Sequence, residues 1–366
     1  NNKKKINLII FHPYSSVGGA DLSLSKLINN LDLNSFNIEF ICLNKENISR
    51  LINKKIKIHI IKSRRTFYTV FKFRKIIKEN IKKDYKKTII LTNQNFANVL
   101  TYFFTINLRN KIKIIGIERN HISELNFHEN FQDYFKKKIL KLLIRFVYRR
   151  LDRIVGNSKE LSKDLSNYLK INVLTLQNQF NIKKLKSYKK KNNIILNVGR
   201  LEFQKDQITI IKALNYVVKF RNIKLIIVGN GSKYYEIKQQ IRRYGLKRHV
   251  QIIRNSKNPK KYFQKSKLFI FSSLYEGFPN VLIESIENGV PVISSSCKSG
   301  PKEILSNYKK KDFFKIGDHN ELSKKILNHF KEPNYLQSKI EGIHKSFKKY
   351  DQKKISSQYL DLFLNI

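Results

Sequence analysis

Glu276 and Glu284 lie eight positions apart, on either side of Gly277-Phe278-Pro279-Asn280, in a chain of 366 residues. Gly277, Pro279 and Asn280 break periodic structure. An apolar helical pattern then runs through Val281, Leu282, Ile283 and Ile286 until Gly289 stops it. The pattern puts Glu276 on a loop and Glu284 in an early turn of the helix. A helix N-terminus carries partial positive charge and N–H groups without intrahelical acceptors, so an anion can dock between the two carboxylates. Amides for a diphosphate and carboxylates for hydroxyls suit a nucleotide sugar. The bland alternative is a strand, a turn and a packed helix with surface carboxylates.

Two cations come from a different segment. The strand-like run Ile194-Val198 leads into Gly199-Arg200-Leu201-Glu202-Phe203-Gln204-Lys205-Asp206. Arg200 and Lys205 therefore leave the carboxyl end of a parallel strand, where open α/β sheets place their ligands. Fixed cations there neutralise a diphosphate and stabilise it as it departs. The competing reading is a surface loop in a lysine-rich chain. Val228-Gly229-Asn230-Gly231-Ser232 ends another strand and reads equally as a ligand loop or a plain turn. Near the N-terminus, Ser16-Val17-Gly18-Gly19-Ala20-Asp21 opens a helix, and its paired glycines let backbone approach a ligand closely. It is not G-x-G-x-x-G, and no Walker lysine follows. His121, in Ile117-Glu118-Arg119-Asn120-His121, sits at a strand's carboxyl end, where it can bond a sugar hydroxyl or an acceptor; His12 is a weaker candidate. The remaining histidines lack metal-ligand spacing, and no Asp-x-Asp, Ser-His-Asp or Cys-His pattern is present. Neither metal nor cofactor is expected, because Arg200, Lys205 and helix amides supply the positive charge.

Glu276-Gly-Phe-Pro, Gly289-Val-Pro291 and Ser299-Gly300-Pro301-Lys302-Glu303-Ile304 together resemble the E-x7-E region of family 4 glycosyltransferases, which are retaining enzymes of the GT-B fold. The resemblance implies two Rossmann-like domains facing an interdomain cleft. Gly18 and Gly19 would face donor phosphates and acceptor, while Arg200 and Lys205 would hold the leaving group. Gly229, Gly231 and the loop at Arg254-Asn255 would lie beside the base. Glu284 would hold ribose hydroxyls, and Glu276 and His121 would lie at the transferred sugar. Gly277, Phe278, Pro279, Asn280, Val281 and Leu282 would complete the donor site. The implied reaction moves a hexose or N-acetylhexosamine from a donor that is UDP-linked, as it often is in relatives, to a glycan or lipid-linked glycan of a cell-surface polysaccharide. Retention without an evident nucleophile implies front-face attack assisted by the leaving phosphate. The resemblance covers nearly the whole chain and is more specific in the second half. Two departures bear on the acceptor side and the hinge: Asp21 stands where relatives often carry Glu then Arg, and Gln177-Asn178-Gln179-Phe180 lacks the usual proline after asparagine.

These groups need parallel sheets to position them. Short β-branched runs alternate with longer amphipathic segments, the pattern of βαβ units. Expected strands are 6–11, 38–43, 56–61, 88–92, 113–118 and 153–156, with helices at 20–31, 67–81 and, capped by Ser158, 159–169. The polar stretch 183–193 reads as a linker between a first domain, 1–182, and a second, 194–352. Second-domain strands are expected at 194–198, 223–228, 250–253, 268–272 and 291–294. By the resemblance, the final helix within 353–366 returns to the first domain.

Hydrophobic residues make up 41% of the chain, enough for two globular cores. No apolar run reaches membrane-spanning length and no signal peptide is evident; Cys42 and Cys297 lie far apart. A cytoplasmic location is expected, with peripheral attachment to the inner membrane face as an extension of it. The lack of Met, an initiator included, implies a chain that is not the full translated product or was altered. The net charge of +47 suits a polyanion, but Lys, Asn, Ile, Phe and Tyr are abundant together, as coding bias also produces. The segment 131–151 is helical in period with one basic face, which can meet anionic headgroups while its apolar face packs on the domain. The balance favours an ordinary amphipathic core helix with a solvated face. Two rival functions remain: a basic nucleic-acid-binding protein on a GT-B scaffold, and a GT-B nucleotide-sugar epimerase. Nucleic acid is not the expected partner, because Tyr and Phe fall mostly on apolar faces.

Overall fold

The computed structural model describes residues 4–13, 18–43, 50–63, 66–187, 192–256 and 258–366. The chain divides into two compact units, Asn1–Asn181 with Tyr350–Ile366, and Ile182–Lys349. In the first unit the strands are β1 (Ile6–Phe11), β2 (Phe36–Cys42), β3 (Lys57–Ile60), β4 (Lys87–Asn93), β5 (Lys113–Glu118), β6 (Arg153–Gly156) and β7 (Leu174–Thr175). They form a parallel sheet in the order β3-β2-β1-β4-β5-β6-β7. The connecting helices are α1 (Gly19–Asn29), α2 (Val70–Ile81), α3 (Asn95–Phe104), α4 (Phe131–Tyr148) and α5 (Lys159–Leu169). Along β1 the side chains alternate: Leu8 and Ile10 join Leu24, Leu27 and Ile28, whereas Ile9 and Phe11 join Phe73, Ile77 and Ala97. Both sheet faces are thus covered, which is why β1 is apolar without a break from Leu8 to Phe11.

The second unit repeats the plan. β8 (Ile194–Val198), β9 (Lys224–Val228), β10 (Val250–Ile253), β11 (Leu268–Phe271), β12 (Val292–Ser295) and β13 (Phe313–Phe314) are parallel, in the order β10-β9-β8-β11-β12-β13. The helices are α6 (Gln207–Val217), α7 (Tyr234–Arg243), α8 (Lys260–Lys265), α9 (Asn280–Glu287), α10 (Pro301–Ile304), α11 (His319–Lys331), α12 (Asn334–Gln337) and α13 (Ile340–Lys345). Strand order reverses between β1 and β4 in one unit and between β8 and β11 in the other, and such switch points open a crevice at the carboxyl ends of the strands. A last helix, α14 (Gln352–Asn365), belongs to the first unit and buries Ile355, Tyr359 and Phe363 in the core beside β1 and β2.

Several expectations need correction. Residues 182–187 pack with the second unit: Lys183 N–H donates to Glu287 Oε1 at 2.9 Å and Lys186 N–H to Glu287 O at 3.0 Å. Residues 188–191 of the expected linker lie outside the described residues. Tyr350 and Asp351 belong to the first unit, where Phe180 N–H donates to Tyr350 O and Gln352 N–H to Phe180 O. The expected helix 67–81 is a 3-10 turn, Thr66–Thr69, followed by α2, with Thr69 Oγ1 donating to Thr66 O. β12 starts after Pro291, which has no N–H for a ladder.

The largest correction concerns α4. It packs an apolar face on the domain as expected, but a second apolar face was not foreseen: Phe131, Phe135, Ile139, Leu142 and Phe146 are 74, 46, 56, 64 and 47% exposed. Its inner contacts come from Ile144, Val147 and Tyr148, with Leu140 and Leu143 half-buried. The helix has apolar residues on two sides, and the core takes only one. Cys42 and Cys297 are buried and form no disulfide, and burial pushes Cys42 up to about 11, far from its reactive thiolate form.

Candidate active site

The β8/β11 switch point brings together segments about seventy residues apart. Leu274 N–H donates to Gln204 O at 2.8 Å, Gln204 Nε2 to Tyr275 O at 2.8 Å, and Ser272 Oγ to Lys205 O at 2.7 Å. These bonds staple the loop after β8 to the loop after β11. Lys205 Nζ consequently forms an ion pair with Glu276 Oε1, their side chains 19 and 9% exposed. Arg200 lies on the same loop, exposed, with Nη2 3.4 Å from Gln204 Oε1. Asp206 turns the chain in the left-handed region (φ 44°) and accepts from Thr209 N–H, capping α6 directly after Lys205. The sequence reading singled out Arg200, Lys205 and Glu276 but missed Gln204 and Ser272, whose polar side chains at strand exits were the available signal.

The loop leading into α9 is clipped from its other side. Gly300 N–H and Ser299 Oγ both donate to Gly277 O, at 2.8 and 3.0 Å, and Ser295 Oγ donates to Ser273 O at 2.7 Å. A Cβ on Gly300 would stand 2.6 Å from Gly277 O and collide with the Pro279 ring, so this position requires glycine. Ser299-Gly300-Pro301 and Glu276-Gly-Phe-Pro are thus two halves of one packed unit. Phe278 and Pro279 are buried, and Asn280 opens α9 with Pro279 at its N-cap, a residue with no side-chain acceptor to cap the first turn. Val281 and Glu284 are half-buried and Leu282 is buried in this helix.

The glycine loop after β9 joins the same edge. Leu201 N–H donates to Asn230 O and Lys233 N–H to Leu201 O, while Glu202 accepts from Ser232 N–H and Oγ. A side chain at Gly229 would strike the Gly199 carbonyl, and one at Gly231 the Leu201 carbonyl. Arg254, after β10, donates to Asn230 Oδ1 at 3.2 Å and stacks 4.4 Å from the Tyr234 ring centroid. Gly199, Arg200, Lys205, Gly229, Gly231, Arg254 and Glu276 therefore share one edge of the second unit, together with the start of α9.

In the first unit the β1/β4 switch point carries a buried polar chain that the sequence reading missed. His12 Nε2 lies 2.7 Å from Asp21 Oδ1, and Asp21 Oδ2 accepts from Gly18 N–H at 2.8 Å. Asn93 Nδ2 lies 3.0 Å from His12 Nδ1, while Asn93 Oδ1 accepts from Arg119 Nε at 2.7 Å. Arg119 Nη1 and Ser23 Oγ both donate to Asn178 Oδ1, at 2.7 and 3.0 Å. Asp21, one departure from the family pattern, and Asn178, which directly precedes the other at Gln179, are thus members of one network that anchors Gly18 and the start of α1, to which Gly19 belongs. Ser16 and Val17 lie outside the described residues.

His121 is turned inward: Nε2 is 2.9 Å from Asp164 Oδ2, Nδ1 is 2.9 Å from Ser123 Oγ, and the ring caps a 3-10 turn, Ile122–Asn126. Both ring nitrogens thus have partners within the first unit. Beside it, Glu118 accepts from Tyr148 Oη at 2.6 Å, and Glu124 is held by Asn95 and by Asn120 at 2.7 Å. Burial, with the Glu124 charge adding, pushes Glu118 up to about 8; burial likewise pushes Glu124 up to about 7.

Residues 178–346 match the family described as glycosyl transferases group 1. An uncharacterized glycosyltransferase of Methanocaldococcus jannaschii is 31% identical over 286 residues, 72% of this chain and 67% of that protein. The N-acetylgalactosamine-N,N'-diacetylbacillosaminyl-diphospho-undecaprenol 4-alpha-N-acetylgalactosaminyltransferase of Campylobacter jejuni is 29% identical over 324 residues, 83% of this chain and 84% of that protein. Among solved structures, HepE of Anabaena in complex with UDP-glucose superposes with a TM-score of 0.79 at 16% identity, covering 98% of this chain and 100% of that one. With two parallel Rossmann-like sheets of this order and relatives of this extent, the chain belongs to the group 1 glycosyl transferases and is a hexosyltransferase of GT-B fold.

Proposed function

We propose that the protein transfers a hexose or N-acetylhexosamine from a UDP-linked donor, with retention and without a metal, to a glycan or lipid-linked glycan during polysaccharide assembly. The observation that carries this reading is the Lys205–Glu276 pair beside Arg200 at the β8/β11 switch point, next to the start of α9. The acceptor class rests on the Campylobacter jejuni relative named for a diphospho-undecaprenol glycan, and the donor class on the neighbour that holds UDP-glucose.

An incoming diphosphate gives Lys205 a second anionic partner, so Glu276 can turn to sugar hydroxyls while Arg200 and Lys205 hold the phosphates. As the anomeric C–O bond breaks, charge builds on the departing phosphate, and these cations stabilise it. The acceptor hydroxyl attacks from the same face and its proton passes to that phosphate. Glu284 holds the ribose hydroxyls. His121 orders the turn after β5 rather than taking part directly.

Calorimetric titration of UDP-sugars into wild type and Glu284→Ala, each with and without EDTA, tests the reading. The expected result is EDTA-insensitive binding of one donor, weakened by about 1–3 kcal/mol in the variant, as for a lost charged hydrogen bond. Folded protein that binds no UDP-sugar, or binds only with free divalent metal, overturns it.

A further inference from the structure

We propose that the outer face of α4 inserts into an anionic bilayer surface, so that the enzyme docks through apolar side chains and not through charge alone. Phe131, Phe135, Ile139, Leu142 and Phe146 recur every three or four residues, so they lie within roughly 80° of the helix circumference at 3.6 residues per turn. All five are exposed, and the residues packed on the core, Leu140, Ile144 and Val147, lie on the opposite side. The patch continues onto α3: the Phe146 ring lies 6.4 Å from Tyr102, whose neighbour Phe103 is 40% exposed.

The charge around the stripe selects the occupant. Within α4, Lys136, Lys137, Lys138, Lys141 and Arg145 stand against a single carboxylate, Asp133, which is paired with Lys137 at 2.8 Å. Lys138 and Arg145 flank the stripe and are exposed, and Arg149 and Arg150 follow at its end. The Arg150 guanidinium lies 3.7 Å from the Phe146 ring centroid. An apolar stripe edged by cations matches acyl chains below anionic headgroups, whereas a second copy of α4 would bring like charges together. No helix among the described residues is long and apolar enough to cross a membrane, so the contact lies in the interfacial plane. The inference rests on α4 itself, and it deepens the proposed function only where that function invokes a lipid-linked acceptor.

The chain contains no Trp, so one introduced indole reports alone. The full chain carrying Leu142→Trp is mixed with phosphatidylcholine vesicles with and without phosphatidylglycerol, beside a Phe220→Trp control on the second unit, where Phe220 is 60% exposed. The expected result is a blue shift and quenching by bromine-labelled acyl chains for Leu142→Trp with phosphatidylglycerol present, and neither for the control. In flotation assays, Phe135→Ser with Leu142→Ser should bind the anionic vesicles about tenfold or more weakly, while UDP-sugar binding by the same variant stays at the wild-type level. Unchanged flotation of that variant, a shift shared by the control, or a shift that tracks protein concentration without vesicles (a second copy covering the stripe) would each overturn the proposal. Loss of UDP-sugar binding in wild type would strike the transferase reading and leave this result intact.

Discussion

Gly300→Ala isolates the packing that joins the two halves of the proposed donor loop. The new Cβ would stand 2.6 Å from Gly277 O, where ordinary contact begins near 3.4 Å. The loop must retreat by about 0.8 Å, close to the ångström-scale misplacement that costs roughly 100-fold in rate. Gly300 carries no left-handed backbone, so the effect is steric. Overpacking of about 1–3 kcal/mol, if it falls on the donor-bound state, weakens UDP binding by roughly 5- to 150-fold. Titration calorimetry measures that loss, with thermal unfolding recorded in parallel. Gly245→Ala is the control: its φ of +66° strains any other residue, but its Cβ meets nothing within 4 Å. It should lower the melting temperature and leave UDP binding alone. A folded Gly300→Ala protein that binds UDP as tightly as wild type would refute the claim that Gly300 sets the position of Gly277 and Pro279.

Two further outcomes follow from the first unit. Phe363→Ala on α14 removes a fully buried ring that lies 6.1 Å from Phe36, and should destabilise the protein by about 3–5 kcal/mol, measured by chemical unfolding; a loss below about 1 kcal/mol would mean that α14 is not part of that core. Glu118 is raised from an ordinary 4.5 to about 8, so the folded state keeps its proton where the unfolded chain releases it. That contribution is complete below 4.5 and is lost as pH rises through 8. Glu118→Gln should therefore gain melting temperature relative to wild type between those values and hold the gain above 8; parallel profiles for the two proteins would contradict it.

How much was legible before the structure differs between elements. β1, β5, β6, β8 and β10 have the bounds read from sequence, because short segments rich in apolar and β-branched residues stand between polar turns. α5 was equally plain, since Ser158 caps its start and accepts from Leu161 N–H at 3.4 Å. The direction of α4 was not legible. Its period marks a helix, but when apolar residues occupy opposite sides the period does not say which side meets the sheet.

The candidate site shows the same division. Residue types and their place beside glycine turns pick out Arg200, Lys205, Glu276 and Glu284 one by one, since turns and strand ends are encoded within a few neighbouring residues. That Lys205 meets Glu276 across 71 positions depends on β8 and β11 lying side by side. The chain from Asp21 through His12, Asn93 and Arg119 to Asn178 likewise depends on the order of β1, β4 and β5, and on residues 155 positions apart reaching one buried point. Local spacing specifies helices, strands and caps, because those interactions are short-range. Buried polar partners are chosen by packing, since each desolvated donor must find whichever acceptor the folded sheet brings within reach.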